Sequence, residues 1–182
     1  MKYDMTTFFK DGFYTGDVDI NVQLFDDVKF PSIDYNPEDL KLSDNCKQEI
    51  KKVQEQLEEV ISETYPKFEL TEEPGLWNGV TKENNEFHND FVAGDKFNSN
   101  ILVYLDEGND MNENYIEIAG EDILDKEGIP YGVSKCRIFC RPGQFVWLNQ
   151  SPQFEHRANN GSGNRRLIHF AYYIPEIKKW KM

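Results

Sequence analysis

Two hydrophobic periodicities divide this 182-residue chain. Between Asp44 and Thr64, Ile50, Val53, Leu57, Val60 and Ile61 recur at spacings of three and four, with Lys, Gln and Glu between them. That is a helical period. Its apolar stripe must lie on another element, and its charged side reads as an ordinary solvated face. Pro66 ends it. Asn36-Pro37 offers an earlier helix entry, a cap residue before a proline at the first turn. Residues 1–35 carry short aromatic and alternating patches, such as Asp19 to Phe25, and predict one or two strands there. From Trp77 onward the texture changes to short strands broken by turn signals at Asn78-Gly79, Asn84-Asn85, Ala93-Gly94-Asp95, Glu107 to Asp110, Pro142-Gly143 and Asn159 to Asn164. Many short strands predict a sandwich or barrel, with the helix packed outside a β core.

Length fits one domain spanning 1–182, with residues 1–75 as N-terminal strands and supporting helix and 76–176 as the core. Hydrophobic residues make up 38%, enough to exclude a wholly disordered chain. The net charge of −13 disfavours nucleic acid and anionic lipid as partners. The longest apolar runs, Ile101–Leu105 and Phe170–Ile174, fall far short of the roughly 20 residues a bilayer requires. The opening MKYDMTTFFKDG lacks the apolar core of a signal peptide, so a cytoplasmic protein is expected. Cys46, Cys136 and Cys140 have no paired spacing and read as buried thiols rather than disulfides or zinc ligands. The oligomeric state is not legible.

The chemistry-bearing residues are few. His88 and Asp90 form His-x-Asp at the end of a strand-like stretch, and residues i and i+2 of an extended chain point the same way. An imidazole and a carboxylate can then converge on one metal ion. A third ligand must come from a distant part of the fold, and His156 is the candidate. Two histidines and one carboxylate on one face of an octahedron leave three positions open, the arrangement of non-haem iron(II) oxygenases. Ten residues on, Arg166 opens a strand on which Arg166, Ile168, Phe170 and Tyr172 share a face. A guanidinium heading such a face makes sense if its fork grips a carboxylate. Tyr104 shares a strand face with Asn100 and Leu102, and its phenol can join the same carboxylate. His169 faces away from Arg166 and reads as a satisfied non-ligand. No nucleophile elbow or phosphate-binding loop is present.

The ordered set His88-x-Asp90, Tyr104-Leu105-Asp106, Arg141-Pro-Gly-Gln-Phe-Val-Trp147, His156 and Arg166 resembles the iron(II)/2-oxoglutarate-dependent dioxygenases, and among them the prolyl-hydroxylase-like branch. The resemblance covers residues 77 to 175. It departs after the tyrosine strand, where Asn114-Tyr115-Ile116-Glu117 stands in place of a Gly-Gly pair. It implies a mainly β fold, a double-stranded β-helix (jelly-roll) core with an N-terminal helical buttress. Fe(II) would sit on His88, Asp90 and His156, with 2-oxoglutarate and O2 completing the site. Arg166 and Tyr104 would hold the far carboxylate of 2-oxoglutarate. Of the adjacent pair Arg165 and Arg166, the apolar continuation selects Arg166, and Arg165 should point outward. The implied reaction hydroxylates a peptidyl (prolyl-like) or small-molecule substrate and releases succinate and carbon dioxide. Trp77 and the Ala93–Phe97 loop are candidates for the substrate opening.

One local signal conflicts with this. Asn159 to Asn164 reads as a hairpin turn, which would set His156 directly opposite Arg166. The family instead implies opposing sheets for these two strands, and the chemistry requires that separation. The rival readings are a non-catalytic jelly-roll binding protein and a cupin-like metalloenzyme that does not use 2-oxoglutarate.

Overall fold

The computed structural model describes residues 5–32, 40–79, 88, 90, 96–107, 115–119, 123–124, 130–131, 134–150, 154–159 and 165–177. In chain order the elements are helix α1 (Thr6–Asp11), strand β1 (Phe13–Asp17), a 3-10 turn (Val22–Phe25) and helix α2 (Asp44–Ser62). Strands β2 (Glu69–Leu70), β3 (Gly75–Asn78), β4 (Ser99–Tyr104), β5 (Tyr115–Ala119), β6 (Ile123–Leu124) and β7 (Pro130–Tyr131) follow. The last are β8 (Ser134–Phe139), β9 (Gln144–Asn149), β10 (His156–Asn159) and β11 (Arg166–Tyr173).

The fold is mainly β, and every described strand pairing is antiparallel. A large sheet runs β1-β9-β4-β11-β2, with β3 also pairing β11. A small sheet runs β10-β5-β8, and β6 pairs with β7. Tyr104, Val146, Leu148 and Leu167 of the large sheet share one apolar cluster with Ile116, Ile118 and Ile138 of the small sheet. The two sheets therefore pack face to face, in the manner of a β-sandwich or jelly roll.

The other face of the large sheet is buried as well. Ile101, Val103, Phe145, Trp147, Ile168, Phe170 and Tyr172 share a core with Ile50, Val53, Leu57, Val60 and Ile61 of α2. A strand buried on both faces reads as nearly continuous apolar sequence, which explains the runs at 101–105 and 170–174. Helix α2 begins where Ser43 Oγ accepts the N–H of Cys46, an N-cap. The earlier entry at Asn36-Pro37 falls outside the described residues.

The strand expected from Asp19 to Phe25 is corrected. The real strand, β1, lies just upstream and pairs with β9. Downstream, the alternating Ile20, Val22 and Leu24 pack on the α2 core through a 3-10 turn. Helix side chains take the backbone donors a sheet would have taken: Asp19 N–H donates to Gln56 Oε1 and Asn21 N–H to Glu49 Oε1. Cys46 and Cys140 are buried thiols and Cys136 a partly buried one.

Candidate metal centre

The site begins with a backbone pairing. His88 and His156 form an antiparallel bridge in which each N–H donates to the other's carbonyl at 2.9 Å. Directly opposed residues on an antiparallel pair share a face. The two rings accordingly lie 4.8 Å apart between centroids, on the side facing the large sheet. His156 is also opposite Ile118 of β5, so the pair extends the small sheet.

Asp90 completes the group. The candidate ligand atoms of His88, Asp90 and His156 all lie within 4.8 Å of one another. Asp90 Oδ1 is 3.3 Å from His88 Nε2, and Oδ2 is 3.5 Å from His156 Nε2. Metal–ligand bonds of about 2.1 Å in an octahedral set place neighbouring donors roughly 3.0 Å apart, so the group needs little adjustment to close on one ion. His156 is buried, and burial is the main reason its pKa falls to about 4, with His88 and Arg165 adding and Asp90 opposing. Its imidazole is therefore neutral at pH 7, with a lone pair to offer. Burial opposes ionisation of Asp90, but His88, His156 and the Asn100 amide together outweigh it and hold its carboxyl well below the usual range. The donor set thus suits a divalent cation.

These residues open on a cavity of about 400 Å³. One wall is the small sheet, with His156, Ala158 and Ile116; the other is the large sheet. On the large sheet the cross-strand rows facing the cavity are Leu102–His169–Gly75 and Tyr104–Leu167–Trp77. Trp77 and Phe97, both proposed from sequence as neighbours of an opening, line the cavity; residues 93–95 lie outside the described residues. His169 is no member of the ligand group but does line the cavity, and burial lowers its pKa.

The two arginines are reversed relative to expectation. Because Tyr104 stands opposite Leu167, the face of β11 that continues from Tyr104 carries residues 165, 167 and 169, not 166. Arg165 is 5% exposed, lines the cavity and donates from Nη2 to the Tyr104 phenol at 3.1 Å. Burial raises the phenol's pKa far above its usual range, so Tyr104 keeps its proton. Arg166 projects to the opposite face. There its guanidinium holds Asp106 through Nη2 at 2.8 Å and Nε at 3.0 Å, and donates to the Phe25 carbonyl at 2.7 Å. Arg166 therefore fastens the strand to the N-terminal segment. The pairing Arg166–Ile168–Phe170–Tyr172 on one face is correct, but that face belongs to α2.

The turn expected at Asn159 to Asn164 falls mostly outside the described residues, but the strands on either side of it are placed. β10 pairs with β5 in the small sheet, and β11 pairs with β4 and β3 in the large one. His156 and Arg165 thus approach the cavity from different sheets. Residues missed by sequence reading are Asn100 and Gln150, whose amides both reach Asp90. Asn100 shares its strand face with Leu102 and Tyr104, as the sequence pattern implies, but nothing in the sequence gives it a role, and Gln150 lies just past β9 with no motif to mark it.

No model of a known protein family matches the chain, and no curated protein matches it in sequence. Its fold is similar to that of a prolyl-4-hydroxylase from Pseudomonas putida, with a TM-score of 0.53 at 13% identity, covering 92% of this chain and 95% of that one. At this identity the similarity speaks to the fold.

Proposed function

We propose that the protein is an iron(II)- and 2-oxoglutarate-dependent oxygenase, a hydroxylase built on a double-stranded β-helix with α2 as its helical buttress. The observation that carries this reading is the convergence of His88, Asp90 and His156 at a cavity that also contains Arg165. His88, Asp90 and His156 would hold the iron. Bound iron(II), with 2-oxoglutarate and dioxygen, supplies the oxidising power for hydroxylation, with succinate and carbon dioxide as co-products. Arg165, steadied by Tyr104, takes the role the sequence had offered to Arg166 and receives the far carboxylate of 2-oxoglutarate. Leu102, Ile116, Ala158 and Leu167 give the cavity apolar walls that limit water around the reacting centre.

For the substrate we propose a peptidyl, prolyl-like side chain or a small molecule entering past Trp77 and Phe97. Fold similarity to a prolyl-4-hydroxylase supports the first by analogy. The acidic surface weighs against nucleic acid. Among the described residues no helix is long and apolar enough to cross a membrane, and a cytoplasmic site of action is part of the proposal.

The test is anaerobic titration with Fe(II), then 2-oxoglutarate, while recording the weak visible charge-transfer band of the chelate. The band should appear and be lost in His88→Ala. Iron binding without a band would favour a cupin-like metalloenzyme, and no iron binding would favour a binding protein.

A further inference from the structure

His88 and Asp90 are two residues apart, yet different things hold them. His88 is fixed by the two backbone hydrogen bonds it exchanges with His156. Asp90 is held by side chains. Its N–H donates to Gln150 Oε1 at 3.0 Å, and its Oδ2 accepts from Gln150 Nε2 at 3.1 Å and from Asn100 Nδ2 at 2.9 Å. Gln150 thus presents one acceptor and one donor to Asp90, as a neighbouring strand's peptide group would. It is itself anchored, with its N–H donating to the Asn98 carbonyl at 3.1 Å and its side chain buried.

Asn100 is the more telling of the two. It is the second residue of β4, 1% exposed, flanked across the sheet by Leu148 and Ala171. Its Oδ1 is buried without a hydrogen-bond partner. Turning the amide over would set Oδ1 against the Asp90 carboxylate, so the Nδ2 contact fixes its orientation. A buried, half-satisfied amide in an apolar row costs stability. Leucine, with the same heavy-atom skeleton, would fill the space without that cost. What the amide provides is the hydrogen bond to Asp90.

We infer that Asn100 and Gln150 are positioning residues, which hold Asp90 so that it meets a metal through Oδ1 alone. The inference rests on the metal-site reading above. A carboxylate oxygen has two lone-pair sites, and the two amides account for both on Oδ2. Oδ1, 3.3 Å from His88 Nε2, is left for the ion. Groups that orient a metal's ligands commonly contribute 10- to 100-fold in affinity.

The experiment measures Mn(II) affinity of the full-length protein, with Mn(II) as an air-stable probe, alongside the urea midpoint of the metal-free form. Asn100→Leu should bind Mn(II) about 10- to 100-fold more weakly while its metal-free midpoint is unchanged or higher. A residue with a merely structural role would not separate the two. Gln150→Met should show the same loss of affinity, and it carries the test if Asn100→Leu does not fold. Folded variants that bind Mn(II) within about twofold of wild type would overturn the inference and leave the metal site standing. A wild-type protein that binds no metal would remove the metal site itself, and with it this inference.

Discussion

Arg165 and Arg166 are adjacent in sequence and opposite in space, so exchanging each for Met should produce contrasting phenotypes. Arg165 faces the cavity with the Tyr104 phenol at 3.1 Å, and under the proposed function it meets a carboxylate there. A hydrogen bond to a charged group is worth about 1.5–3 kcal/mol, so losing a two-pronged grip should remove about 3 kcal/mol or more. At about 1.4 kcal/mol per tenfold, 2-oxoglutarate should bind at least about 100-fold more weakly to Arg165→Met. Arg166 makes no approach to the cavity. Its side chain is 15% exposed and its partner Asp106 17% exposed. Removing it strands a largely buried carboxylate and frees the Phe25 carbonyl, which should cost about 2–3 kcal/mol. For a chain of this size that is about 4–12 °C in melting temperature. The assay is calorimetric titration of 2-oxoglutarate into Mn(II)-loaded protein, paired with thermal unfolding. Arg165→Met should lose the ligand, and Arg166→Met should keep it while melting lower. If Arg166→Met loses 2-oxoglutarate and Arg165→Met keeps it, the assignment of faces on β11 is wrong.

Histidine 169 lines the cavity outside the ligand group, so His169→Ala should retain iron binding in the same anaerobic titration that His88→Ala fails. The metal-free protein should lose stability on acidification. His156 has a folded pKa of about 4, below its ordinary 6.5, so the unfolded chain takes up the proton first. Its contribution is whole above about pH 6.5 and falls away towards pH 4, up to roughly 3 kcal/mol, and His169 acts in the same direction. Urea midpoints between pH 7.5 and 5 in the presence of a chelator should fall, and His156→Gln should flatten that slope; equal slopes would contradict the account. Glu117, 2% exposed on β5, lies between Arg137 and Arg157 of the flanking strands. Glu117→Ala should destabilise by about 1–3 kcal/mol in chemical denaturation without altering metal affinity. At Gly12, φ is +81° and an added Cβ would lie 2.2 Å from Phe154 Cγ. Gly12→Ala should therefore cost about 2 kcal/mol or more, and a variant as stable as wild type would show that Phe154 yields easily.

The parts of the fold most legible in the sequence are those where one physical requirement dominates. Helix α2 was readable because its apolar stripe serves one core. The His-x-Asp pair and its distant histidine come together as the sequence suggested, because a three-donor metal site, the role proposed for them, would restrict residue type and spacing tightly. The strand predicted at Asp19–Phe25 failed for the converse reason: alternation records which side chains are buried, and here a helix rather than a neighbouring strand covers them. Asn100 and Gln150 escaped notice because amides holding a carboxylate have no spacing rule: one lies ten residues from Asp90 and the other sixty, and the fold must bring them together first.

The arginine reversal has a more general cause. A strand exposed on one face can be oriented by asking which side is apolar. β11 is covered by α2 on one face and lines the cavity on the other, so both faces carry apolar residues. The face richest in aromatics, with Phe170 and Tyr172, is the one packed on the helix. The face with Arg165, Leu167 and His169 lines the cavity and is smaller and more polar; under the proposed function it leaves room for a ligand and offers groups to bind it. Tyr104 already carried the answer: a phenol placed towards the cavity on β4 requires its neighbours across the sheet to face the same way. In the observed register those neighbours bring in Arg165 and carry Arg166 to the far side.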